Sequence, residues 1–284
     1  MSYLTPREFT NVMIDVGEAK INMSPRDMIL RGAMAGAILG IAVALAVTAA
    51  VQTGLPIVGA VIFPVGFCTL NLLGLDLVTG VFGLAPLPLI AGRKGITLNG
   101  MLKSWGYAFL GNLIGSVAVA FLLAIAWTQA FTDVPPAAGL AIAKAADART
   151  LGYEAHGAAG MLTVFVKGIL CNWMVVTGVI GAMLSKSVGG KVIAMWMPIL
   201  IFFGLGFEHA VVNMYLFPLG MMMGGELTVW DWLVWNEIPV TLGNIVGGLV
   251  FTAGALYVTH GPGNSRAVVE SVKAEHNDTA TTSP

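Results

Sequence analysis

Charge is what this chain has least of. Asp, Glu, Lys and Arg make up 10% of its 284 residues, against 57% apolar residues and a mean hydropathy of +0.84. Soluble domains carry about a quarter charged residues, so this chain cannot cover a water-facing surface. Several stretches instead approach the roughly 20 apolar residues that span a bilayer core. The net charge is -1 and no basic stripe exists, which argues against nucleic acid as a partner. The first 28 residues are mixed polar and charged, with no apolar run near Met1, and do not read as a signal peptide. Cysteine is scarce too. Cys68 and Cys171 both lie in apolar segments, where buried membrane thiols are expected rather than a disulfide. No metal cluster or nucleotide-binding loop is visible, and no cofactor is expected.

Hydropathy places apolar spans at about 29–52, 57–90, 101–129, 157–185, 191–223 and 236–260. The second and fifth are too long for simple crossings, and each is interrupted by glycine and one carboxylate. Ahead of the first span, Thr5, Pro6 and Glu8 give a capping-box start, with Phe9, Val12, Met13 and Val16 following at helical spacing. The pattern predicts a short amphipathic helix at the membrane surface or against a neighbouring subunit. Ser24, Pro25 and Asp27 repeat the start signal for the first span. Segment 130–156 reads as a polar loop, and 261–284 as a Ser/Thr/Asn-rich tail with little reason to fold. The expected organisation is an N-terminal amphipathic helix within 1–28, a transmembrane domain over 29–260 and a disordered cytoplasmic tail over 261–284.

Loop charges sort by side. With six spans, Arg7, Lys20, Arg26, Arg31, Arg93, Lys94, Lys103, Lys186, Lys191, Arg266 and Lys273 share one side, and only Lys144 and Arg149 fall on the other. That bias predicts cytoplasmic termini. The halves also repeat. Gly111-Asn112-Leu113-Ile114-Gly115 matches Gly243-Asn244-Ile245-Val246-Gly247, and Gly74-Leu75-Asp76 matches Gly206-Phe207-Glu208, both at an offset of 132. Three spans per half make this an inverted-topology repeat, about 29–129 and 157–260, as transporters and channels use.

Asp76 and Glu208 sit where a charge facing lipid costs several kcal/mol. Broken helices at matching positions of two halves point to a translocation site near the midplane. For both carboxylates the expected role is structural, capping a half-helix N-terminus where negative charge is favoured. His209 follows Glu208 at the break, and its unperturbed pKa of about 6.5 suits it to proton exchange. His156, His260 and His276 lie near interfaces or in the tail. An acid–base pair of Glu208 and His209 in a membrane-embedded enzyme is a second reading, disfavoured because no nucleophile or metal cluster accompanies it. A neutral-solute pore is a third.

Phe63-Pro-Val-Gly-Phe67, Gly74-Leu-Asp-Leu-Val-Thr79-Gly, Lys167-Gly-Ile-Leu-Cys171-Asn172-Trp-Met-Val175 and Gly206-Phe-Glu-His209-Ala-Val-Val-Asn213-Met-Tyr resemble the formate/nitrite transporter family over roughly residues 5–260. The resemblance implies an all-α integral membrane protein with an aquaporin-like fold: six transmembrane helices in an inverted 3+3 repeat, the second and fifth broken, in a homopentamer embedded in lipid. No Asn-Pro-Ala motif is present, which disfavours a water channel. The implied substrates are a small monovalent anion, formate foremost, and a proton. Nitrite, hydrosulfide, acetate and lactate fit the same pore. By this resemblance Phe63, Phe67 and Phe202 form apolar constrictions with Leu77 and Val175 beside them. Thr79 and His209 face each other at the centre, Asn172 lines the pore, and Asp76, Glu208 and Asn213 support it. Where family members commonly carry a lysine before the fourth span, this chain has His156, with Lys167 deeper. Both are candidates for the anion entrance.

Overall fold

The computed structural model describes residues 3–262, and all but the first two residues of the tail expected over 261–284 lie outside them. The chain forms α1 (Pro6–Ile21), α2 (Pro25–Thr53), α3 (Pro56–Leu72), α4 (Val78–Ile90), α5 (Leu98–Trp127), α6 (Ala137–Ala148), α7 (Leu151–Glu154), α8 (Gly157–Leu184), α9 (Val188–Gly204), α10 (Ala210–Met222) and α11 (Val229–His260). Helices α2, α5, α8 and α11 are each long and apolar enough to cross a membrane. The other apolar helices come as two interrupted pairs, α3 with α4 and α9 with α10. The predicted breaks therefore fall where glycine and a carboxylate interrupt the second and fifth apolar stretches.

Start signals behave as their chemistry requires. The Ser24 hydroxyl accepts from the Asp27 N–H to open α2, and Pro25 occupies the first helical position. At α1 the Glu8 carboxylate accepts from the Thr5 N–H at 2.8 Å and from its hydroxyl at 2.7 Å. The apolar face of α1 is not left for lipid or a neighbouring subunit. Phe9, Met13 and Ile14 pack on Leu84, Leu87, Val176 and Ile180 of the same chain.

The largest helix contacts join α2 to α5 and α8 to α11. Small residues make both possible. A Cβ on Gly115 would collide with the Ala33 carbonyl, and one on Gly247 with the Ile169 carbonyl. These are the closing glycines of the two repeated Gly-Asn motifs, so each half packs its two long helices backbone to backbone.

The segment read as a polar loop at 130–156 is a structured element instead. It folds into α6 and α7, with Ile142, Ala143 and Ala146 buried against α10. Its alanine-rich composition lowered the apparent hydrophobic signal, although Ala is the best helix former. This segment supplies two residues to the site.

Candidate functional site

Both helix breaks are built the same way. At the end of α3 the Gly74 N–H donates to the Asn71 carbonyl and the Leu75 N–H to the Leu70 carbonyl; at the end of α9, Gly206 and Phe207 repeat this with Phe203 and Phe202. This is the Schellman closure, and it needs a left-handed residue. Gly74 has φ +69° and Gly206 φ +64°. Three extended residues follow, and then a second helix starts.

The cap of that second helix differs from expectation. Neither Asp76 nor Glu208 caps it. The Val78 N–H at the head of α4 donates to Asn112 Oδ1 at 2.8 Å, and the Ala210 N–H at the head of α10 donates to Asn244 Oδ1 at 3.0 Å. Each asparagine amide then donates to the carbonyl of the carboxylate residue, Asp76 or Glu208, and to a glycine carbonyl of a long helix, Gly32 or Gly168. An amide supplies an acceptor and two donors at once, which a carboxylate cannot.

The carboxylates are tied to cations outside the long helices. Asp76, 2% exposed, forms an ion pair with Lys20 of α1. Glu208, 0% exposed, accepts from Arg149 at 3.3 Å, Tyr153 Oη at 2.8 Å, Asn213 Nδ2 at 3.0 Å and Asn236 Nδ2 at 3.3 Å. Burial, reinforced by the neighbouring Glu208 charge, pushes the Tyr153 phenol well above its ordinary range, so it stays a donor. Arg149 and Tyr153 come from the segment α6–α7. Helix α1 and the α6–α7 segment are thus counterparts, each sending one cation to the break of its own half.

His209 closes the centre. It is 1% exposed and is itself the cap of α10: its Nδ1 accepts from the Val212 N–H at 3.2 Å. With Nδ1 an acceptor, the network assigns the neutral ring proton to Nε2. Nε2 lies 3.2 Å from Thr79 Oγ1 at the head of α4, so the two half-helices meet through these side chains. The repeat position equivalent to His209 is Leu77, so the centre holds a histidine on one side only.

The other expected residues distribute around this pair. The Phe202 ring stacks on the His209 imidazole with centroids 5.6 Å apart, and Phe63 meets Phe202 edge to face at 5.7 Å. Asn172 donates to the Thr79 carbonyl at 3.0 Å and to the Asn244 carbonyl at 2.6 Å, and its buried Oδ1 has no partner among the described residues. Val175 is buried in the same core cluster as Phe63 and Phe202, and Phe67 and Leu77 border a cavity of about 360 Å³ beneath α1. Lys167 donates to Tyr153 Oη at 3.1 Å and so joins the Glu208 network. His156 stays apart: it is exposed, and its ring nitrogen faces the Gly152 carbonyl.

A second cavity, of about 450 Å³, opens beside Arg149 between α2, α3, α9 and α10. Residues of the two cavities correspond through the repeat: Gly80 and Leu84 in one match Val212 and Leu216 in the other, and Val179 and Ala182 match Val47 and Ala50. Phe203, half-buried, borders the second cavity and stacks on Phe63 at 3.9 Å. The aromatic series Phe203–Phe63–Phe202 separates this cavity from His209.

Sequence reasoning singled out neither Phe203 nor the ion-pair cations. Arg149 entered only as one of two positive charges on its side, and that scarcity was its sole signal. The asparagines of the repeated motif were visible as a repeat, but nothing local announced them as caps.

The profile described as formate/nitrite transporter matches residues 7–258. A protein of Methanothermobacter thermautotrophicus named a probable formate transporter is 36% identical over 206 residues, covering 70% of this chain and 73% of its own. The formate channel FocA of Haemophilus influenzae is 32% identical over 273 residues, 87% of this chain and 91% of that one. Among solved structures, an FNT family ion channel superposes with TM-score 0.74 at 26% identity, covering 89% of this chain and 98% of that one. A pentameric formate channel with formate bound superposes with TM-score 0.68 at 23% identity, over 83% and 97% respectively.

Proposed function

Since the chain belongs to the formate/nitrite transporter family, we propose that it carries a small monovalent weak-acid anion, formate foremost, across the membrane together with a proton exchanged at His209. It is a multi-pass membrane protein of a family of transporters and channels. Six crossings, cytoplasmic termini, a cell inner-membrane location and a homopentameric assembly with a pore in each protomer complete this reading. The pentamer is supported by the fold shared with a pentameric channel.

The observation that carries the proposal is the buried contact of His209 Nε2 with Thr79 Oγ1: ring contacts lead from His209 through Phe202 and Phe63 to Phe203 at one cavity, and Leu77 and Gly80, close to Thr79 in the chain, line the other. Formic acid ionises near pH 4, so protonating formate at pH 7 costs about three pK units, or about 4 kcal/mol. Taking the bare anion past Phe203, Phe63 and Phe202 costs more, because an unpaired charge loses its hydration there. Crossing as the neutral acid is the cheaper route. The anion meets two donors at the centre, the Nε2–H of His209 and the Thr79 hydroxyl. Lys167, linked through Tyr153 to Glu208, is the better placed of the two candidate entrance groups; exposed His156 stands apart from this network.

The cap bond constrains the proton step. Handing over a proton requires the imidazolium, and protonation of Nδ1 opens its bond to the Val212 N–H. A second reading therefore follows from the same geometry: neutral His209 holds the anion by Nε2–H while the proton comes from water in the cavity.

Formate uptake into proteoliposomes across an imposed pH gradient tests the function. Saturable, gradient-driven uptake, inhibited best by the smallest anions, is expected. Uptake that is absent, or indifferent to pH and to nitrite, hydrosulfide and lactate, overturns it in favour of another anion or a neutral solute.

A further inference from the structure

The two cavities correspond through the repeat but not in charge. In the cavity beside Arg149 that guanidinium is the only charged lining residue among the described residues, and it is committed to Glu208. In the cavity beneath α1 the charged lining residues are Lys20, Asp76 and Lys191. Lys20 is committed to Asp76, and among the described residues Lys191 forms no ion pair or side-chain hydrogen bond. One cavity is therefore neutral by pairs and the other carries one positive charge. The repeat equivalent of Lys191 is Gly59, which lines the neutral cavity.

Lys191 also stands where its own helix disfavours it. It lies in the first turn of α9, opened by the Ser187 cap, at the positive end of the helix dipole. No carboxylate offsets that cost among the described residues. Lys191 shares the cavity lining with apolar Val179, Met183 and Met195 and with polar Asn71, beside the Lys20–Asp76 pair. The dipole and the ammonium have the same sign and add in the low-dielectric cavity.

We propose that Lys191 is an anion-recruiting residue of the α1-side cavity, drawing a small carboxylate towards the break and making substrate capture stronger on this face than on the other. The inference rests on the transport reading above. It adds a residue and an asymmetry between faces. Lys191 raises the local anion concentration without touching the reacting centre, so it is a positioning residue.

The test compares wild type, Lys191→Gln and Lys191→Arg in right-side-out and inverted vesicles. For Lys191→Gln, half-saturating formate applied at the α1 face is expected to rise about threefold to fivefold, as loss of one partly screened charge implies. Its dependence on salt flattens, and half-saturation from the opposite face stays unchanged. Lys191→Arg keeps the wild-type value. An unchanged half-saturation in Lys191→Gln, an equal rise on both faces, or equal impairment of Lys191→Arg overturns the proposal. Absence of formate flux in wild type overturns the transport reading instead, so the two failures are distinguishable.

Discussion

Asn112 and Asn244 stand 132 positions apart and make the same set of hydrogen bonds: each accepts from the first N–H of a half-helix and donates to two carbonyls around a helix break. The inverted repeat is thus a repeat of hydrogen bonding as well as of sequence. Both interruptions are closed by an amide from the second long helix of their own half, α5 or α11.

Replacing either asparagine with alanine leaves one donor and two acceptors buried without partners, at about 1–3 kcal/mol each before relaxation. Asn112→Ala and Asn244→Ala should lower the thermal midpoint in detergent by similar amounts. A large loss in one and none in the other would show that the two breaks are not equivalent.

The two ion pairs are less equal. Glu208 keeps Tyr153, Asn213 and Asn236 when Arg149 is removed, whereas among the described residues the Asp76 side chain has Lys20 alone. Lys20→Met should therefore destabilise more than Arg149→Met, in the range of about 3–5 kcal/mol for stranding a buried charge. Adding Asp76→Asn should recover most of that loss, read as thermal midpoint in the double mutant.

On one ring His209 carries the cap acceptor Nδ1 and, in the proposed function, the proton-exchanging Nε2. Asparagine can accept the Val212 N–H as a cap but supplies no Nε2–H. His209→Asn should fold like wild type and lose pH-dependent uptake. His209→Ala should lose the uptake and also about 1 kcal/mol of stability. Undiminished proton-coupled flux in the asparagine variant would sink the role of His209 in proton exchange.

Phe203 is the half-buried member of the aromatic series. Phe203→Ala should widen the approach from the Arg149-side cavity and raise lactate and acetate flux relative to formate, at a smaller stability cost than Phe63→Ala, which removes a fully buried ring at about 3–5 kcal/mol. Unaltered anion selectivity in a folded Phe203→Ala protein would remove the ring from the selective path.

At the start of α1, the hydrogen bond from the Thr5 N–H, then that from its hydroxyl, holds the Glu8 carboxyl below its ordinary range. A depressed carboxyl stabilises above its unfolded pKa and loses that contribution as pH falls through the folded value. Amide protection in the first turn of α1, corrected for intrinsic exchange, should therefore be complete at neutral pH and fall below the carboxylate range. Glu8→Gln should show reduced protection at neutral pH.

The sequence by itself determined the membrane class, the two interruptions, the repeat and the place of His209 at the second break. Each has a signature that does not depend on partners. Scarce charge excludes a wetted surface, a carboxylate inside an apolar run must be compensated, and equal offsets expose duplicated backbone geometry. Tertiary structure alone decided who compensates whom. Asp76 and Glu208 read as caps because negative charge favours a helix N-terminus, yet the amides of Asn112 and Asn244 take that place, since three groups needed bonding there. Arg149 and Tyr153 lie in a segment that read as a loop, because a short alanine-rich helix has little hydrophobic contrast. Their link to Glu208 joins positions more than fifty residues apart. Local pattern records whether a residue meets lipid, water or core. It does not record which distant polar atom will be waiting when the helices pack.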